Sequence, residues 1–187
     1  RRAGWVHVAS LGEAFEAMQA MARLKLLRGE RLTILANGYG LGNMAADVLL
    51  RKGGRLAELE DETLKRLASL VHSKRPLHNP LELPPSLGAQ GWAEALRLIL
   101  ADRNTHALMT VYSPSPFAAS TAVAEQSSLA SQGTRQNIFT CWVGGESMQQ
   151  AQHICDSHGL LSHESPEKAV AVFMDLLSHA RNRELLM

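Results

Sequence analysis

The chain has 187 residues, 45% of them hydrophobic and 20% charged, with a formal net charge of +1. These values describe an ordinary globular protein of one domain, long enough to bury its own core. They exclude a dominant nucleic-acid partner, because no basic block forms a stripe, and a membrane span, because no apolar run approaches the necessary length.

Ser10-Leu-Gly-Glu13 is a capping-box pattern, and Leu11, Phe15, Met18 and Ala22 behind it share one helical face, so a lead-in helix is expected to end near Gly29. Residues 32–36 carry no charge on either face and predict a central parallel strand. Residues 41–51 predict the helix it feeds, closed by Gly53-Gly54. A second short strand is expected at 56–59. Asp61 then caps a helix with Leu64, Leu67 and Val71 on one stripe.

Residues 75–91 are rich in turn formers, with Asn79-Pro80 opening an extended piece. Helix resumes over 92–101 with Leu96, Ile99 and Leu100 inward. A third strand over 106–112 runs through Ser113-Pro-Ser-Pro116 into a helix at about 118–131. A fourth, over 137–143, runs through Gly144-Gly145 into a helix reaching Asp156. A short strand near Leu160-Leu161 follows. Ser165-Pro166 then opens a last helix with Val170, Phe173, Met174 and Leu177 inward.

Strand and helix alternate throughout. The pattern predicts an α/β fold: a flavodoxin-like, doubly wound, mainly parallel sheet of about five strands with helices on both faces. Three domain segments are expected: a lead-in over 1–30, the flavodoxin-like domain over 31–181, and the start of a linker over 182–187. The chain opens on Arg1-Arg2 without a methionine and reads as a piece of a longer protein, so the lack of a signal peptide says nothing about the parent.

The segment that argues for chemistry is Asn37-Gly38-Tyr39-Gly40-Leu41-Gly42, a strand end, a turn with three glycines and a helix start. Glycines allow positive φ and close backbone approach, and a helix start presents unpaired N–H groups and partial positive charge to an anion. Asn37, Gly38, Tyr39, Gly40, Leu41 and Gly42 are therefore the candidate phosphate-binding residues. A tight turn without a ligand is the plainer reading, but three glycines exceed what a turn needs. A dinucleotide fingerprint ranks below a single phosphate. Gly38-x-Gly40 begins it and Glu58 sits where a ribose-binding acid would, but its third small residue falls on Asn43.

Ligands of doubly wound sheets sit beyond the carboxyl ends of the strands. The loops at 37–42, 113–116 and 144–147 leave those ends. Ser113, Ser115, Gly144 and Gly145 are accordingly candidate rim residues, with Asn79 beside them on the turn-rich segment. Cys141, on an apolar strand before two glycines, reads as core rather than as a nucleophile. His153-x-Cys155-x-x-His158 has zinc-type residues, but helical positions two apart face different ways, so no metal site is expected. Two cysteines in a chain this size suit a reducing, cytoplasmic compartment. The remaining histidines (His7, His72, His78, His106, His163, His179) are scattered and read as solvated or satisfied polar groups.

The sequence resembles the ADP-forming acyl-CoA synthetases and their succinyl-CoA synthetase relatives. It is most similar to the bacterial proteins that join such a module to a GNAT domain and act as protein lysine acetyltransferases. The residues that carry the resemblance are Leu11-Gly-Glu-Ala-Phe15, Gly29-Glu-Arg-Leu-Thr-Ile-Leu-Ala-Asn-Gly38, Ala45-Ala46-Asp47, Leu56-Ala-Glu-Leu-Glu-Asp-Glu-Thr-Leu64, Asn79-Pro-Leu-Glu-Leu83, Ala107-Leu-Met-Thr-Val-Tyr-Ser-Pro114, Cys141-Trp-Val-Gly-Gly145 and Ser165-Pro-Glu-Lys-Ala169.

The resemblance implies a ligase-CoA domain whose partners are the CoA-binding, phosphohistidine, ATP-grasp and possible GNAT domains of one parent chain. CoA or acyl-CoA and ATP/ADP would be the parent's cofactors. It implies that the glycine turn stabilises a phosphate carried on a histidine of another domain. The family's Ser-His-Thr-Gly phosphohistidine pattern is absent, and Tyr39 stands where the family has a small residue. No catalytic residue is therefore expected in this piece. The alternative implied function is a non-catalytic CoA- or acyl-CoA-sensing or scaffolding domain of a GNAT-fused lysine acetyltransferase.

Overall fold

The uncharged run read as a central strand is the axis of the sheet. The computed structural model describes residues 10–38 and 40–184. In it β1 (Arg31–Asn37) pairs in parallel with β4 (Ala107–Tyr112) on one side, followed outward by β5 (Asn137–Trp142) and β6 (Leu161–His163). On its other side the first residues of β1 pair with β2 (Arg55–Leu56) and the last with β3 (Leu81–Leu83). All pairings are parallel. The expected count of about five strands becomes six strands in five positions, because β2 and β3 share one edge of β1. The three-residue β3 is the extended piece after Asn79-Pro80, too short for a strand-length apolar pattern.

Asn79 closes the break between those two short strands. Its Oδ1 accepts from the Ile34 N–H at 2.9 Å, and its Nδ2 donates to the carbonyl oxygens of Leu32 at 2.8 Å and Ala57 at 3.0 Å. The side chain replaces ladder bonds that neither strand is long enough to make, and buried backbone groups require such partners.

Helices cover both faces. On one lie α1 (Leu11–Arg23), α2 (Leu41–Arg51) and α7 (Pro166–Glu184); on the other lie α3 (Asp61–Leu70), α4 (Gly88–Ala101), α5 (Ser120–Ala130) and α6 (Gln149–Ser157). Alternation along β1 feeds two cores: Leu32, Ile34 and Ala36 point to the first face and Leu35 to the second. Each fully buried leucine or isoleucine side chain among them contributes about 1.5–3 kcal/mol. Val170, Phe173 and Leu177 of α7 are buried as the stripe predicts, while Met174 is only partly so.

α1 departs from simple amphipathic reading. It ends at Arg23, six residues short of Gly29. Ser10 caps it, its hydroxyl accepting from the Glu13 N–H. The helix packs against α7 through the small residues Ala17 and Ala20, whereas the stripe of Leu11, Phe15 and Met18 faces solvent, with Leu11 74% exposed. No helix among the described residues is long and apolar enough to cross a membrane.

Candidate functional site

The carboxyl ends of the strands gather the expected loops at the point where the chain's winding reverses, between β1 and β4. Asn37 ends β1 and is buried. Its side chain bridges this junction: Nδ2 donates to the Ser113 carbonyl oxygen at 2.8 Å, and Oδ1 accepts from the Ser113 N–H at 2.7 Å. Asn37 thereby holds the first and second rim loops together, and its amide is committed to that joint. The Ser115 hydroxyl accepts from the Phe117 N–H, closing the second loop on itself. Gly144 follows β5 with φ of 156°, and a Cβ there would meet the Pro114 ring at 3.0 Å. The second and third loops are thus in contact too. Gly145 has φ of 59° and open space around it.

The glycine turn is narrower as an anion cradle than the sequence suggests. Gly38 (φ 93°) donates its N–H to the Leu83 carbonyl oxygen at 2.9 Å, extending the β1–β3 pairing by one bond. Gly40 (φ 104°) is the N-cap of α2, and its N–H donates to the Glu82 carboxylate at 2.7 Å. The Asn43 Nδ2 donates to the same oxygen at 3.2 Å. The expectation of bare amides is therefore corrected at Gly38 and Gly40. The first intrahelical bond runs from the Met44 N–H to the Gly40 carbonyl, so the N–H groups of Leu41, Gly42 and Asn43 precede the helix's own ladder, and among the described residues they have no backbone acceptor. Gly42 is buried, and an added Cβ would lie 3.2 Å from Ala36 and 3.3 Å from Pro80, so it permits close packing of α2 on the sheet. Tyr39 lies outside the described residues, as do His7 and the two chain ends.

Glu82 is the residue that sequence reading passed over. It enters because β3 pairs Glu82 with Ala36, one residue before the end of β1, bringing the carboxylate to the mouth of the turn. There it meets the partial positive charge of the α2 N-terminus, which attracts a negatively charged group. Glu82 also borders a cavity of about 350 Å³ formed by the 71–84 segment, on whose wall stand Arg75 and His78. Neither of these two is in an ion pair among the described residues. Glu82 thus stands between the helix start, which it touches at Gly40 and Asn43, and the cavity that Arg75 and His78 line. Asn79, two residues before β3, is turned into the sheet instead.

Burial settles the thiols and one histidine. Cys141 and Cys155 are buried, and desolvation pushes their thiols up to about 12 and about 11. His153 is exposed while Cys155 is buried, so the zinc-type spacing does not converge. Among the described residues no three His, Cys, Asp or Glu side chains are placed to hold a metal ion. His163 ends β6 beside Cys141 in the β5–β6 register. It is 7% exposed, its Nε2 has no hydrogen-bond partner, and burial followed by the charge of Lys168 lowers its pKa to about 4.

No protein-family model matches the chain. It is 28% identical over 170 residues to the ADP-forming acetate–CoA ligase I of Archaeoglobus fulgidus, covering 91% of this chain and 24% of that protein. It is 24% identical over 179 residues to the alpha subunit of the ADP-forming acetate–CoA ligase II of Pyrococcus furiosus, covering 92% of this chain and 39% of that subunit. The chain therefore spans between about a quarter and two fifths of the length of these relatives. Among solved structures, the dinucleotide-forming acetyl-coenzyme A synthetase 1 of Candidatus Korarchaeum cryptofilum, in complex with phosphate and ADP, superposes with a TM-score of 0.91 at 22% identity, over 98% of this chain and 40% of that one. The sequence relatives are thus ADP-forming acetate–CoA ligases, and the solved structure shares the fold.

Proposed function

We propose that this chain is the flavodoxin-like ligase module of a larger ADP-forming acyl-CoA synthetase-like protein. In that role the α2 N-terminus would receive a phosphate, free or carried on a histidine of another domain of the parent, and stabilise its charge electrostatically. CoA and ATP/ADP would be ligands of the parent. The observation that carries the reading is the Glu82 carboxylate on the Gly40 amide at 2.7 Å: an anion already sits where the helix start attracts one. The Leu41, Gly42 and Asn43 amides are the donors an incoming phosphate would use once Glu82 swings aside toward the cavity that Arg75 and His78 line.

The same contact favours a second reading. If Glu82 caps the turn permanently, the module carries no ligase chemistry and serves to sense CoA or acyl-CoA, or as a scaffold, in a lysine acetyltransferase. Calorimetric titration of inorganic phosphate into the wild-type chain and into Glu82→Gln separates the two. Removing one negative charge about 4 Å from the phosphate is worth between about 1 kcal/mol in bulk water and about 4 kcal/mol at the effective dielectric near a protein surface, so the first reading expects phosphate to bind Glu82→Gln at least about tenfold more tightly. Equal and negligible heats in both proteins favour the second.

A further inference from the structure

The edge of the sheet opposite the glycine turn carries its own concentration of charge. After α1 ends at Arg23, residues 24–28 run along the amino ends of the strands. Asn137, the buried first residue of β5, pins this run. Its Oδ1 accepts from the Lys25 N–H at 2.9 Å and its Nδ2 donates to the Lys25 carbonyl oxygen at 2.5 Å. The Lys25 Nζ donates to the Thr134 carbonyl oxygen at 2.6 Å. Between this pinned run and the loops that lead into β5 and β6 lies a cleft of about 430 Å³.

Arg23, Lys25 and Arg135 stand around the cleft with His158 on its far wall, and Arg28 stands beside Arg135 in the adjoining depression. None of these four Lys and Arg residues is in an ion pair among the described residues. No carboxylate lines the cleft or the depression. The whole chain carries only +1, so four uncompensated cations on one edge are a local excess that raises the concentration of anions there. The floor, in contrast, is apolar: Leu24, Ile138 and Leu160.

We propose that this amino-edge cleft binds a small organic phosphate of two or more negative charges, its phosphates among Arg23, Lys25 and Arg135 and its organic body over Leu24 and Ile138. Size selects that class: the volume falls in the range of about 300–1,000 Å³ that accommodates small organic ligands, and inorganic phosphate would leave most of it empty. Preorganisation supports it, because Asn137 fixes the backbone of the Lys25 wall before any ligand arrives. This site is separate from the phosphate reading of the glycine turn, which lies at the other ends of the strands.

The test is an NMR titration of the full chain with ADP as organic diphosphate, pyrophosphate as the charge without the body, and adenosine as the body without the charge. ADP should shift the amides of Lys25, Gly133 and Gly159 with saturation, pyrophosphate should do so more weakly, and adenosine should not. The exposed double variant Arg23→Ser/Arg135→Ser should lose at least tenfold in ADP affinity, and Gly40→Val should retain it. Unshifted amides at this edge, equal affinity in the double variant, or binding only of a polyglutamate peptide or a single-stranded RNA would overturn the proposal. Failure here with phosphate still binding at Leu41 to Asn43 would leave the glycine-turn reading intact.

Discussion

Replacing Asn79 with alanine removes the side chain that stands in for the missing part of the β1 edge ladder. Three bonds go, but they are unequal. The Leu32 carbonyl retains the Ala57 N–H at 2.9 Å, so it stays satisfied. The Ile34 N–H, on a residue with no exposure, loses its only acceptor, and the Ala57 carbonyl loses the Asn79 donor. A buried backbone group left without a partner costs about 1–3 kcal/mol. Asn79 is half-buried, which lets water reach the vacated space and holds both groups to the lower part of that range. The expected loss is about 3 kcal/mol in total, or about 6–12 °C in Tm for a domain of this size. Urea unfolding measures the first and thermal unfolding the second, and hydrogen exchange at the Ile34 amide should accelerate in parallel. A loss below about 0.5 kcal/mol with an unchanged Ile34 exchange rate would refute the claim that one side chain bridges β2 and β3.

Gly40→Val adds no clash, but φ of 104° strains a β-branched residue, so the variant should fold with a loss of about 1–3 kcal/mol and bind phosphate at the turn more weakly; unchanged phosphate affinity would count against the turn as a donor site. His163 is held near 4 in the folded chain against 6.5 in a free side chain, so the unfolded state takes up its proton first as pH falls. The stability this contributes is present above pH 6.5 and is lost between 6.5 and 4, by up to about 3 kcal/mol. Urea unfolding of His163→Leu over that range should show a shallower pH dependence than the wild type, and identical slopes would contradict the assignment. The Cys141 and Cys155 thiols, held at about 12 and 11, should resist alkylation at pH 8 until the chain unfolds, and rapid labelling of the native protein would contradict their burial.

β1 and α2 were legible because an uncharged run, a glycine turn and a helical stripe are local signals, and α2 spans Leu41–Arg51 as expected. β3 was not, because three residues are too few for periodicity and its identity is set by pairing with β1. Glu82 was missed for the same reason: its contact with Gly40 spans 42 residues of sequence. The amino-edge cations are farther dispersed, with Lys25 and Asn137 separated by 112 positions, so no basic block marks them. In α1 periodicity found the apolar stripe, but the packing face was chosen by Ala17 and Ala20, whose small side chains let the helix lie close to α7. His163 gave no signal of burial, since it lies on a three-residue strand with Ser162 before it and Glu164 after it.

The most direct measurement is a two-dimensional amide spectrum of the full chain titrated with inorganic phosphate, followed at Gly40, Leu41, Gly42 and Asn43 in the wild type and in Glu82→Gln. The account predicts saturable shifts at Leu41, Gly42 and Asn43, with Gly40 moving as it exchanges a carboxylate partner for a phosphate and half-saturation at least about tenfold lower in phosphate for Glu82→Gln. Amides in that stretch that stay fixed in both proteins, at phosphate concentrations that shift no other part of the sheet's carboxyl rim, would contradict it.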